Sequence, residues 1–323
     1  MGGDSVAELT GSRAEERIKR MLAAAQMENG WNKPEPSMWP LPRKRFVPAH
    51  WSYARAREIL DAAGELISTE LAERRNLILA NPIVGNHYPT VSTIVTAYQM
   101  VKAGETARSH RHSANALRLV LDAEPNAFTI VEGKKIPMEP GDVLLTPNWH
   151  WHGHSNESRA DAYWMDFLDM PLVHFLGPMF FEHHPATLEQ AQEIAARSPA
   201  RFAWADTLRR LDAAADLAPG RREIALGAPA MATIDLHVWR IAADKKFATD
   251  PVTCNAVFAV MQGRGKSVVD GRSFLWERGD VIAAPTGSAH RCEAFEESIL
   301  LRVSDESLFR HLGWLRPIPP AEN

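Results

Sequence analysis

The sequence predicts a mainly β protein: two double-stranded β-helix (jelly-roll) barrels with helical N-terminal and connecting segments. Three observations predict it. Near Thr90 the apolar period changes from helical to alternating, and VSTIVTAYQMVKAG is β-branched as a strand should be. Short strand-like runs then succeed one another, with turn signals at Glu132-Gly133 and Glu139-Pro140-Gly141, as in a small antiparallel barrel. Finally, the pattern recurs. Val131-Glu132-Gly133, Gly141-Asp142-Val143, Pro147 and His152 are matched by Val269-Asp270-Gly271, Gly279-Asp280-Val281, Pro285 and His290, with the same Gly-to-Pro and Pro-to-His steps.

Taken in order, residues 13–27 (RAEERIKRMLAAAQM) read as a short amphipathic helix. From Trp31 to Pro48 the proline content and the lack of a helical period predict an extended arm across the surface of its own or a neighbouring subunit. Residues 54–79 regain helical spacing and stop before Asn81-Pro82. The expected division is a helical, Pro-rich arm over 1–89, a first barrel over 90–185, a helical connector over 186–232 and a second barrel over 233–323.

Composition narrows the function. With 323 residues, 45% hydrophobic and 24% charged, the chain is an ordinary globular protein. A formal charge of −4 without a basic stripe argues against nucleic acid. Two cysteines, Cys254 and Cys292, are too few for a disulfide scaffold and are read as buried apolar residues, so a reducing cytoplasm is expected. No apolar run is long enough to span a membrane, and the N-terminus is too charged for a signal peptide.

The chemistry concentrates between Gly104 and Asn156. His110 and His112, two apart on a strand, aim both imidazoles at one side. A third histidine from the cluster His150, His152 and His154 could complete a set of three. Three neutral nitrogen ligands that leave positions open suit a divalent metal that also binds substrate. By contrast, the adjacent pair His183-His184 lies in a loop and diverges, and His290 has no histidine partners in its own half.

These spacings resemble the cupin superfamily. Its first motif, Gly, five residues, then His-x-His, is matched by Gly104, His110 and His112; its second by Gly141, Pro147, His152 and Asn156. Among two-barrel cupins (bicupins), HRHSANALRLVL, MEPGDVLLTPNWHWHGH and WMDFLDMPLV resemble gentisate 1,2-dioxygenase and salicylate 1,2-dioxygenase over roughly residues 50–305. The resemblance implies one mononuclear Fe(II) per subunit, held by His110, His112 and His152. The usual cupin glutamate ligand is replaced by Ala116-Leu117, which agrees with the three-histidine subclass.

That family opens an aromatic ring with O2 between the carboxyl-bearing and hydroxyl-bearing carbons of a small aromatic acid, and its members assemble as homotetramers. Arg118, six residues beyond His112 and so on the same strand face, is the expected carboxylate partner, since its planar fork binds such a group at two points. The resemblance adds Arg74 (or its neighbour Arg75) and Gln99 to the substrate pocket. His154 shares parity with His152 and is read as a hydrogen-bonding or proton-transfer residue, with Asp166 orienting its neighbours. Gly153 and His150 depart from the family pattern and are expected to alter the pocket rim. Asp122-Ala123-Glu124-Pro125 replaces a Glu-Gly-x-Gly turn. Gentisate, salicylate and 5-substituted salicylates such as 5-nitrosalicylate are the expected substrates. The competing readings are another metal-dependent bicupin enzyme, which would usually keep the glutamate, and a non-catalytic ligand-binding bicupin, which would have lost the histidine motif from both halves.

Overall fold

The computed structural model describes residues 4–31, 33, 35–68, 72, 74–227 and 231–319. The chain divides into two units, Met1–Arg43 and Lys44–Asn323. The first contains α1 (Asp4–Ala24) and a stretch without regular structure. The second opens with β1 (Ala49–Trp51), α2 (Tyr53–Leu66) and β2 (Arg75–Ile78). Next come β3 (Val95–Val101), β4 (Thr106–His112), β5 (Ala116–Asp122), β6 (Ala127–Val131) and β7 (Lys134–Pro137). β8 (Val143–Thr146), β9 (His152–Asn156) and β10 (Ala162–Leu168) follow, then α3 (Met170–Leu176). The connection carries β11 (Phe181–His183), β12 (Glu193–Ile194), β13 (Arg201–Phe202), α4 (Trp204–Ala213) and β14 (Asp216–Ala218).

The second β-rich region holds β15 (Arg221–Ala225), β16 (Asp235–Ile241), β17 (Lys246–Thr249), β18 (Ala256–Gln262) and β19 (Arg264–Val269). It ends with β20 (Arg272–Glu277), β21 (Val281–Ala284), β22 (His290–Ala294), β23 (Ser298–Ser304) and α5 (Glu306–His311). The repeat in the sequence is a repeat in topology. One sheet of the first barrel runs β8-β5-β10-β3-β2 and one of the second runs β21-β18-β23-β16-β15; the facing sheets run β4-β9-β6-β7 and β17-β22-β19-β20. Among the described residues no helix is long and apolar enough to cross a membrane.

Strands β3, β5 and β18 are buried at nearly every position, because both of their faces are covered. Leu117, Leu119 and Leu121 share one core with Val257, Ala259, Val281 and Leu301, whereas Val120 and Trp164 fill the first barrel and Trp239, Phe258 and Val260 the second. α2 contributes Tyr53, Ala56 and Leu60 to the shared core at helical spacing.

The Gly-Asp step of the repeat has the same task in both halves. Gly141 and Gly279 sit at φ +88° and +92°, and a Cβ there would strike the ring of Trp204 or Tyr53 at 2.7 and 2.5 Å. Asp142 Oδ1 accepts the backbone N–H of Trp204 at 2.8 Å, and Asp280 Oδ1 that of Tyr53 at 2.9 Å. These are the first residues of α4 and α2, so each turn satisfies an open helix N-terminus supplied by a distant segment.

Two expected helices are shorter than predicted. The helix expected over 54–79 ends at Leu66, and Arg75–Ile78 pairs with β3 instead. The connector expected as helical over 186–232 is, among the described residues, helical only from Trp204 to Ala213; Glu193–Ile194 and Arg201–Phe202 pair with β7 and β8. In both places an open sheet edge supplies hydrogen bonds that outweigh local helix propensity, and Pro199 further disfavours a helix.

Candidate metal centre

β4 and β9 run side by side with His110 opposite His152, and His112 follows two residues on along β4. One potential ligand nitrogen from each ring lies within 4.8 Å of the others, and all three residues are buried. Each ring is oriented in the same way. Nδ1 of His110 is 3.1 Å from the Arg108 carbonyl, that of His112 2.9 Å from Ala114, and that of His152 2.9 Å from His150. A carbonyl only accepts, so each Nδ1 carries the proton and each Nε2 the lone pair.

Burial, reinforced by the charge of Arg74, brings the pKa of His110 down to about 2. Burial likewise takes His112 to about 4 and His152 well below its ordinary value. All three are neutral at pH 7, the form a metal ion requires.

Beside them runs a chain of polar side chains. Arg118 and Asp166 face each other across β5 and β10, with Arg118 only 1% exposed. Arg118 Nε is 3.4 Å from Asp166 Oδ1, and its Nη1 faces the His154 ring, 2.6 Å from Nδ1 and 2.9 Å from Nε2. Gln99 on β3 donates from Nε2 to Asp166 Oδ2 at 2.7 Å, and Arg74 donates to Gln99 Oε1. Burial holds the Asp166 carboxyl above its usual range, although Arg118 and Arg74 oppose the shift. Burial, then the charge of Arg118, keeps His154 neutral. Arg75 is engaged elsewhere, by Glu105 at 2.9 Å and the Ile67 carbonyl at 2.8 Å, so Arg74 is the arginine that joins this chain.

Residues 97–168 match the cupin domain model. The chain is 31% identical to 5-aminosalicylate 1,2-dioxygenase of Comamonas sp. over 91% of its length and 87% of that protein's. It is 30% identical to 1-hydroxy-2-naphthoate 1,2-dioxygenase of Nocardioides sp., covering 95% and 88% of the two chains. Salicylate 1,2-dioxygenase from Pseudaminobacter salicylatoxidans superposes with a TM-score of 0.84 at 27% identity, over 93% of this chain and 95% of that one. This chain belongs to the gentisate and salicylate 1,2-dioxygenase family. As a member it is an aromatic ring-cleaving dioxygenase, an oxidoreductase on a bicupin fold.

The histidine set fits the metal such a dioxygenase needs: three neutral imidazoles converge, and their Nε2 lone pairs are fixed by backbone carbonyls. Position 116, near which other cupins place a carboxylate ligand, is a buried alanine.

The departures from the family pattern do not lie where the sequence suggested. Gly153 alternates with His152 and His154 and so faces the other side of β9. A Cβ there would meet Ser109 Oγ at 2.3 Å and Leu188 Cδ1 at 2.9 Å, so packing between strands, not the pocket rim, excludes a side chain. His150 precedes the strand; its ring bonds the Asn148 carbonyl at 3.0 Å, while its own carbonyl orients His152. Asp122, in the altered turn, accepts from Tyr53 Oη at 2.7 Å and from Arg278 at 3.2 Å, linking the two barrels. Asn156 is structural too, donating to the carbonyls of Val101 and Ala160.

Three neighbours of the site were not legible in the sequence. Trp164 packs its ring 5.4 Å from that of His154. Thr129 stands opposite His154 in register, with its Oγ1 3.4 Å from Arg118 Nη1. Phe181 reaches within 5.2 Å of the His110 ring, because β11 adds to the edge of β4. Strand parity alone could have suggested Thr129; the other two depend on tertiary pairing.

Proposed function

We propose that this dioxygenase holds one Fe(II) per chain on His110, His112 and His152 and acts on a salicylate-type acid. Both atoms of O2 would enter the product as the bond between the carboxyl-bearing and hydroxyl-bearing carbons breaks. One observation carries this reading: within a single barrel, three convergent neutral imidazoles stand next to a buried guanidinium. The names of the relatives share a carboxylate ortho to a hydroxyl, on rings that otherwise differ. Gentisate, salicylate and 5-substituted salicylates such as 5-nitrosalicylate all present that pair.

When bound, Fe(II) would supply Lewis acidity and a redox-active centre through which electrons of the substrate reach O2. Arg118 and Arg74 supply positive charge for the substrate carboxylate in a water-poor site. Asp166 and Gln99 hold those arginines in place. His154, whose Nδ1 and Nε2 lie 2.6 and 2.9 Å from Arg118 Nη1, accepts from that guanidinium and helps to hold it toward the substrate.

Two coarser properties belong to the same reading. The arm exposes Trp31, Met38, Trp39 and Leu41 on the single chain, which supports burial against another subunit in a homotetramer. Two buried free thiols, Cys254 and Cys292, support a cytoplasmic location. Gel filtration showing a monomer at working concentration would remove the tetramer.

The deciding experiment is anaerobic Fe(II) reconstitution, followed by O2 uptake with salicylate, gentisate, 5-nitrosalicylate and 5-aminosalicylate. Uptake with loss of the aromatic absorbance supports the reading, and the relative rates select the substrate. No uptake despite one iron per chain overturns it.

A further inference from the structure

The second barrel repeats the frame of the first with a different lining. Thr249 stands opposite His290 where His110 stands opposite His152. Phe258 faces Arg302 where Arg118 faces Asp166. Trp239, opposite Glu223, occupies the place that Gln99, opposite Asn76, holds in the first barrel. An imidazole has thus given way to a threonine, a guanidinium to a phenyl ring and an amide to an indole, yet the lumen has not closed. A cavity of about 280 Å³ remains, lined by Arg221, Trp239, Thr249, Phe258, His290 and Arg302 among others.

Side chains of its wall carry buried polar atoms that lack a hydrogen-bond partner among the described residues: Nε1 of Trp239, Nδ1 of His290 and Nε of Arg221. Trp239 is 3% exposed and His290 1%. An indole N–H and a guanidinium N–H only donate, and burying them dry is unfavourable, so they call for an acceptor. The two arginines are already paired, Arg221 with Glu223 at 2.5 Å and Arg302 with Glu306 at 2.7 Å. The pocket therefore selects for an acceptor oxygen more than for net negative charge. Around that point lie flat surfaces: Phe258 packs 4.6 Å from the His290 ring, and Arg221 lies over both Trp239 and Phe247. The volume, at the low end for ligand sites, accommodates one ring.

We propose that the second barrel is a non-catalytic binding site for a single-ring aromatic compound carrying an acceptor oxygen, of the benzoate or phenol type. The inference rests on the cavity and its unpartnered donors, not on the iron chemistry of the first barrel.

Calorimetric titration of the metal-free full-length protein with benzoate tests it. The expected result is a benzoate site that persists in Arg118→Ala, weakens about tenfold or more in Trp239→Phe, and disappears in Thr249→Phe, which fills the pocket from its partly exposed mouth. Thermal melts and O2 uptake of the two second-barrel variants show that they remain folded, and O2 uptake reports the first barrel separately. Benzoate binding that is lost in Arg118→Ala, or unchanged in both second-barrel variants, overturns the proposal.

Discussion

Arg118 Nη1 lies 2.6 Å from Nδ1 of His154, and both side chains are buried beside the three-histidine cluster. A guanidinium keeps its proton in proteins, so His154 is the acceptor, held neutral first by burial and then by the charge of Arg118. Removing the guanidinium therefore changes two groups at once: the cation itself and the orientation of His154.

Arg118→Ala is expected to lower kcat/KM at least about 100-fold while leaving iron content near one per chain, as loss of a buried charge-assisted contact costs several kcal/mol. Arg118→Lys should fall between, since it keeps the charge but loses the planar fork. Pairing Arg118→Ala with Asp166→Asn removes the carboxylate left without its cation and should recover thermal stability but not turnover. Steady-state kinetics, iron assay and melting curves on these variants decide the matter. Iron and activity falling together would make Arg118 a folding residue.

Gly153→Ala should disturb the centre without touching it. The new methyl meets Ser109 Oγ at 2.3 Å and the Ser109 Cα at 3.1 Å, so β9 must move, and His152 and His154 move with it. We expect a loss of roughly 1–3 kcal/mol in stability and weaker iron retention during dialysis against a chelator. Ser109→Ala in the same chain removes the nearest contact and should restore part of both. A single variant with wild-type melting and iron retention would show that the strands yield freely.

What the sequence made legible follows from period and spacing. His110, His112 and His152 converge because strand parity and a register between neighbouring strands suffice to place them. Arg118 does not share a strand with His112, as six-residue parity assumed, but reaches the site from β5 of the facing sheet, after the break at residues 113–115. Gly153 was misplaced because a strand glycine reads as a missing side chain, whereas its role is set by Ser109 on the next strand. Arg75–Ile78 looked helical because the pull of the β3 edge on that segment is a tertiary effect that no local window contains. The unpartnered polar atoms of the second barrel were likewise invisible: Trp239 and His290 are far apart in sequence, and only the fold brings both to the lining of one lumen.

His237 provides a pH test confined to the second barrel. Its Nδ1 is 2.6 Å from Glu223 Oε1 and its Nε2 3.2 Å from Asp235 Oδ2. Bonds to Asp235 and Glu223 raise its pKa from 6.5 to about 9. The folded pKa exceeds the unfolded one, so the histidine contributes its full stabilisation below about pH 6.5 and loses it as pH rises through about 9. With the side chain partly solvated, the contribution is of order 1–2 kcal/mol. The melting temperature of wild type should exceed that of His237→Gln by a few degrees at pH 6, and by much less at pH 9.5. Both carboxylates are ionised throughout that interval in the variant, so the change in the gap isolates the imidazolium. A gap that stays constant across the interval would mean that His237 is neutral in the folded protein, and that its contacts with Glu223 and Asp235 are hydrogen bonds without charge.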